Sequence, residues 1–299
     1  MMRSKKWIKR AGVSVLRYFI LTGLSFLILY PLVVTLMISI MSPSDFTNSS
    51  VRYLSLSPTL DFYKNAAIFL EYGPTVLKSV LLNTALCLFE IFSCTLVAYG
   101  FARFSFRGNG FLFACVLLTL LIPTSAYFTP LYLSFSSFGP FQWNLLETPI
   151  PLFLLSATAL GLKNGLLIFI LRQHFRAYPK ALEEAASIDG AGTFSVFWRI
   201  MLPGAVSVMV TCFVLIFVWK WTDPTYTNVF MPDKEFIWTK LASIEGNMSL
   251  LPGVDKDDVY YRAILQNASL VLYLIPVLIV FVIGKRFLVE SVETTGLVG

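Results

Sequence analysis

The sequence predicts an all-α polytopic membrane protein with six transmembrane helices and both termini cytoplasmic. Three observations predict it. Of 299 residues, 57% are hydrophobic and 13% charged, whereas a soluble domain carries roughly 25% charged residues. Mean hydropathy is +0.74, and the apolar residues gather into runs that can cross a bilayer, which takes roughly 20 residues as a helix. The basic residues are also shared unequally between the segments joining those runs.

The elements follow in order. Residues 1–17 form a cytoplasmic tail with Arg3, Lys5, Lys6, Lys9 and Arg10. That start is like a signal peptide, but the apolar run from Arg17 to Met41 exceeds a signal core of roughly 7–15 residues. No small-residue cleavage site follows it, so residues 18–41 read as a retained first span. Residues 42–78 make an extracellular loop with Pro43, Pro58, Asp61 and Pro74. The second span, 79–101, carries Glu90; the third, 111–133, carries Pro123; the fourth, 150–171, carries Lys163. A cytoplasmic loop, 172–203, precedes the fifth span, 204–221. An extracellular loop, 222–262, is rich in aromatics and leads to the sixth span, 264–287, with Pro276. Residues 79–287 form the core domain, and 288–299 a cytoplasmic tail. Prolines are tolerated inside membrane helices because neighbours re-satisfy the freed backbone groups, and they mark kinks.

Charge sets the orientation. With a cytoplasmic N-terminus, 14 of the 23 basic residues fall inside and 8 outside, while 11 of the 17 acids fall outside. The outer set includes Arg52, Lys220 and Lys256. The short loop with Arg103 and Arg107 has no acid, and the loop between spans three and four has no basic residue. Excess Lys and Arg on the cytoplasmic side is the expected bias. It also accounts for the net charge of +6 without nucleic acid.

The inner loop has a legible shape. Pro179 suits the first turn of a helix, where its missing N–H costs nothing. Glu183 and Glu184 lie near that start, where the dipole favours negative charge. Ala185 and Ala186 are strong helix formers that let another surface approach. Asp189 and Gly190 then break the helix, because Gly tolerates left-handed angles. Residues 191–200 can form a second short helix packed by Phe194, Phe197 and Trp198, and Pro203 opens the fifth span. Such a helix–turn–helix knob suits a groove on a partner.

Glu184-Ala185-Ala186, three residues, Gly190, nine residues, then Ile200-Met201-Leu202-Pro203 meets every defined position of EAA-x3-G-x9-I-x-LP. The chain therefore resembles the permeases of binding-protein-dependent ABC importers. The segment Gly100–Gly108 and the tail Lys285–Val289 through Gly296–Gly299 are similar to the smaller permease of maltose-type carbohydrate systems. The resemblance implies a type I importer permease fold in a bacterial cytoplasmic membrane. It implies a second permease, two ATPase subunits or domains and an extracellular binding protein as partners, and a sugar or oligosaccharide as cargo. The inner loop would sit in a cleft of the ATPase, with Glu183, Glu184, Ala185, Ala186, Asp189, Gly190, Ile200, Leu202 and Pro203 as coupling residues. No cofactor is expected on this chain; ATP and Mg belong to the partner ATPase.

Other residues carry less. Glu90 and Lys163 are intramembrane charges, which are costly and face a cavity or a partner. With Asn83 and Asn164 they are candidates for a polar substrate path; an inter-helix ion pair or a contact to a sister subunit is the other reading. Trp238, Tyr260 and Tyr261 of the second outer loop are candidates for contact with the binding protein. His174 is the only histidine and reads as an interfacial surface residue without metal-ligand spacing. Cys87, Cys94, Cys115 and Cys212 read as small apolar residues. Asn247-Met-Ser249 and Asn267-Ala-Ser269 match the glycosylation pattern without use in a bacterial permease. The phosphate-loop pattern G-x-x-x-x-G-K-[ST] is absent, and one histidine leaves no nucleophile–His–acid set. A permease for a non-sugar solute is the alternative. An ion-coupled transporter or channel would need an ion site and often inverted repeats, and neither is visible.

Overall fold

The computed structural model describes the backbone of every residue except 1, 49, 52–53, 162, 248–257 and 297–299. Side chains are described for these residues other than 2–11, 47, 245, 247 and 289–296. Arg52 and Lys256 of the charge count, the Asn247–Ser249 triplet beyond its first backbone unit, and the last three residues of the tail lie outside the described residues.

The described residues are helical, with one isolated antiparallel bridge, Phe138 to Trp143. The helices are α1 (Met2–Ser39), α2 (Pro43–Thr47), α3 (Asp61–Phe69), α4 (Tyr72–Arg103), α5 (Asn109–Leu118) and α6 (Ser125–Ser136). Then come α7 (Ile150–Ala157), α8 (Asn164–Ala177), α9 (Lys180–Ile188) and α10 (Thr193–Val196). A π-helical turn, Phe197–Met201, leads to α11 (Leu202–Gly204), α12 (Val206–Thr222) and α13 (Thr225–Phe230). The last are α14 (Ile237–Ala242), α15 (Ile244–Asn247) and α16 (Val259–Gly296).

Among the described residues, three segments are long and apolar enough to cross a membrane: Gly12–Ser39, Tyr72–Arg103 and Val259–Leu288. Thr193–Gly204 and Val206–Thr222 pass together across a bend of 69°. The apolar runs 111–133 and 150–171 are not continuous helices. The first splits into α5 and α6 around Pro123, and the second into α7 and α8 around residues 158–163. Pro123 lacks an N–H, and the residue before a proline avoids the α region. In the second break Ala159 and Lys163 have φ of 55° and 58°, which no continuing helix can hold.

The chain divides into two compact units. Unit 1 comprises 1–73 and 240–274. Its core joins Phe62 and Ala66 of α3 to Ile264, Leu265 and Ala268 of α16. Tyr63 Oη shares a hydrogen bond of 2.6 Å with Ser39 Oγ, and Tyr72 Oη donates to the Leu272 carbonyl at 2.9 Å. The loop after α2 is gathered by buried Asp45, which accepts from the Ser55 hydroxyl and from the Ser57 backbone at 3.2 Å. Those donors, the Ser55 hydroxyl foremost, hold the Asp45 carboxyl below its ordinary range.

Unit 2 comprises 74–239 and 275–299. Here α8 packs against α5 and α12. Gly165 permits the first contact: a Cβ there would stand 2.7 Å from the Val116 carbonyl. Asn83 Nδ2 of α4 donates to the Phe217 carbonyl of α12 at 3.1 Å. Tyr99 of α4 lies at 5.5 Å from the Phe175 ring and 4.9 Å from the Phe197 ring. Cys87, Cys94 and Cys212 are buried free thiols.

Candidate functional site

The inner loop folds as a helix, a turn and a second helical piece. Pro179 is the N-cap of α9, one position before its expected place. Gly190 stands at φ 84°. The Gly190 N–H donates to the Ser187 carbonyl at 3.1 Å and the Ala191 N–H to the Ala186 carbonyl at 2.9 Å. This pair of bonds is a Schellman turn, whose left-handed position favours Gly. The glycine in EAA-x3-G is thereby explained by backbone geometry: it ends the helix one turn after the alanines. No side chain of α9 is buried. Glu184, Ala185 and Asp189 are exposed, as is Ile188 at 86%. The second piece differs from a plain helix over 191–200. It runs through α10, the π-helical turn and α11, with Ile200 and Leu202 half-buried and Pro203 exposed before the bend into α12.

Sequence reasoning missed the ties that hold this loop. Arg103 Nε meets Glu183 Oε1 at 2.6 Å, and Arg103 also donates to the Tyr178 carbonyl at 2.7 Å. Glu183 and Glu184 thus separate: the first is half-buried against Arg103, the second faces outward. A Cβ on Gly204 would stand 2.5 Å from Tyr178 Oη, so this glycine admits the tyrosine ring. His174, expected at the surface, is half-buried, with Nε2 at 3.2 Å from the Gly204 carbonyl. Burial lowers its pKa from 6.5.

The two intramembrane charges part: Glu90 makes an inter-helix ion pair, and Lys163 does not share it. Glu90 is wholly buried and pairs with Lys220 of α12 at 2.7 Å. Lys220, which counts with the outer charges in the orientation argument, lies within α12, which runs to Thr222. Gly161 lies beside this carboxylate, where a Cβ would be 2.7 Å from Glu90 Oε2. The break between α7 and α8 therefore gives Glu90 its room. Lys163 is exposed in that break, its Nζ 4.5 Å from the centre of the Trp219 ring. Asn164 is 5% exposed, and neither atom of its side-chain amide has a hydrogen-bond partner. Asn83 and Lys220 share a small cavity with Asp223, Tyr226, Thr227 and Trp238.

The outer candidates separate too. Trp238 is 6% exposed, stacked on Phe236 at 4.9 Å, and lies inside unit 2 rather than on a surface. Tyr260 is exposed at 44%. Tyr261 is half-buried, its hydroxyl accepting from Asn65 Nδ2 at 2.8 Å. Among the described residues no group of His, Cys, Asp and Glu could hold a metal ion.

Known proteins resemble this chain over most of its length. Residues 94–292 match the family described as binding-protein-dependent transport system inner membrane component. A probable ABC transporter permease protein of Bacillus subtilis, YurM, is 26% identical over 231 residues, 75% of this chain and 69% of that one. The maltodextrin transport system permease protein MalD of Streptococcus pneumoniae is 25% identical, covering 77% of this chain and 78% of the relative. Among solved structures, a chain of a bacterial ABC transporter involved in import of the acidic polysaccharide alginate aligns with a TM-score of 0.71 and 18% identity. That alignment covers 91% of this chain and 95% of the other.

Proposed function

Because the chain belongs to the binding-protein-dependent transport system inner membrane components, we propose that it is one permease subunit of an ATP-driven importer for a sugar or oligosaccharide. It spans the bacterial cytoplasmic membrane six times with both termini inside. It pairs with a second permease and two ATPase subunits or domains, and receives its cargo from an extracellular binding protein. ATP and Mg are bound and hydrolysed on the ATPases. Alternating access then moves the cargo inward.

The observation that carries this reading is α9: a short helix with no buried side chain, ended by the Gly190 turn and carrying Glu184-Ala185-Ala186. A compact exposed knob of this kind fits a cleft on a partner. Glu184, Ala185, Ala186, Asp189 and Gly190 form its docking side, and Ile200, Leu202 and Pro203 seat it on the membrane domain. Asn83, Glu90, Lys163 and Asn164 border the cargo path, and Tyr260 and Tyr261 meet the binding protein. Support for a sugar comes from the maltodextrin and alginate systems to which the relatives belong.

The test is reconstitution. The chain is purified with the second permease, the ATPase and the binding protein, placed in liposomes, and supplied with ATP and labelled maltodextrins. Uptake that requires all four components supports the reading. Uptake by this chain alone overturns it, and uptake of a non-sugar solute in place of every saccharide overturns the substrate class.

A further inference from the structure

Arg103 closes α4 and is itself enclosed. Its side chain is 5% exposed and that of Glu183 22%. One guanidinium holds two points of the inner loop at once: the Glu183 carboxylate at 2.6 Å and the Tyr178 carbonyl at 2.7 Å. The planar fork of Arg suits such double duty, which the point charge of Lys does not. Tyr178 precedes α9 and Glu183 lies in its first turn, so the start of the docking helix is tied to the end of α4. The far end of the loop returns to the same place, since Gly204 admits the Tyr178 ring. Upstream on α4, Glu90 pairs with Lys220 of α12. At about 1.5 Å per residue the two charges stand about 20 Å apart on one helix.

We propose that Arg103 is a positioning residue that makes α9 and α4 move as one body. Displacement of α9 is thereby delivered along α4 to the Glu90–Lys220 pair. This rests on the reading of α9 as the ATPase-docking helix. It assigns Glu183 to the membrane domain and leaves Glu184 as the acid offered to the ATPase. Without Arg103 the helix still docks, but its motion is spent in the loop.

The test uses the complete assembly in liposomes, with maltotriose as the transported probe, and reads three quantities: ATPase retained on purification, ATP hydrolysed, and maltotriose taken up. Arg103→Gln is expected to retain the ATPase at the wild-type level and to lower uptake per ATP by about tenfold, within the usual range of coupling between sites. Glu183→Gln is expected to do the same. Arg103→Glu combined with Glu183→Arg is expected to recover most of the ratio, which guards against simple misfolding of a single variant. An unchanged ratio in Arg103→Gln, loss of the ATPase from that variant, or a swapped pair no better than the singles overturns the proposal. A wild-type assembly that retains no ATPase overturns the docking reading itself, and this proposal with it.

Discussion

Glu90 and Lys220 form a buried ion pair at 2.7 Å between α4 and α12, with Glu90 wholly inaccessible and the Lys220 side chain 16% exposed. Removing one partner of such a pair leaves a stranded charge and costs about 3–5 kcal/mol, whereas replacing both by apolar groups is often neutral. Lys220→Met alone should therefore destabilise the purified chain strongly. Glu90→Leu with Lys220→Met should recover much of the loss. Thermal unfolding of the two singles and the double checks this; additive losses would remove the pair from the account.

Gly190 sits at φ 84° with open space where a Cβ would be. Substitution there is penalised by backbone conformation and not by a clash. Gly190→Val should cost about 1–2 kcal/mol locally and fray the end of α9, whereas Gly190→Asn, which tolerates the left-handed region, should be mild. Retention of the ATPase on co-purification separates the two, and equal retention would sink the explanation of the turn.

Glu184 is exposed where Glu183 is held. Glu184→Lys reverses a charge offered outward, so the chain should keep its wild-type melting temperature while hydrolysis no longer drives uptake. Normal uptake in this variant would remove Glu184 from the docking side.

Lys163 stands exposed over Trp219 at 4.5 Å in the break between α7 and α8. If that break borders the cargo path, Lys163→Met should change the apparent affinity for the transported sugar with little effect on folding, since an exposed cation–π contact is worth about 0.5–1 kcal/mol. Unchanged uptake kinetics would confine Lys163 to shaping the turn.

Burial holds the His174 pKa below 6.5. The unfolded chain then binds the proton first, so stability rises with pH across this interval. The contribution of neutral His174 is complete above 6.5 and is lost as the pH falls below that value. Melting temperature should decline from pH 7 toward acid in the wild type and decline less in His174→Gln. Parallel curves would mean that other groups set the dependence.

Much of this was legible in the sequence because it is written in local terms. Long apolar runs such as those of α1 and α16 declare themselves by composition, and the Gly190 turn by one residue with a unique backbone range. Three features were not local. The Arg103–Glu183 tie joins residues far apart in the chain, and charge counting had used Arg103 only as an orientation marker. Lys220 stands at the outer end of the fifth run and counts with the outer charges, whereas its side chain pairs with Glu90 of another helix. Pro123 announced a kink in the third run and produced a full break. The fourth run carried no such mark, and the Glu90 carboxylate of another helix occupies the place a Cβ on Gly161 would take.

The two breaks bear on how the chain fares before it meets anything else. In the six-span arrangement proposed above, residues 119–124 and 158–161 are irregular backbone at bilayer depth. Most of their N–H groups still donate within the chain, Leu120 to Leu117 and Leu160 to Leu155 among them, while Leu121 is 78% exposed and Leu160 65%. The backbone groups left over at such a break are satisfied only against protein or water. In the proposed assembly a neighbouring subunit would cover these breaks, so a copy made without it should have the shorter lifetime.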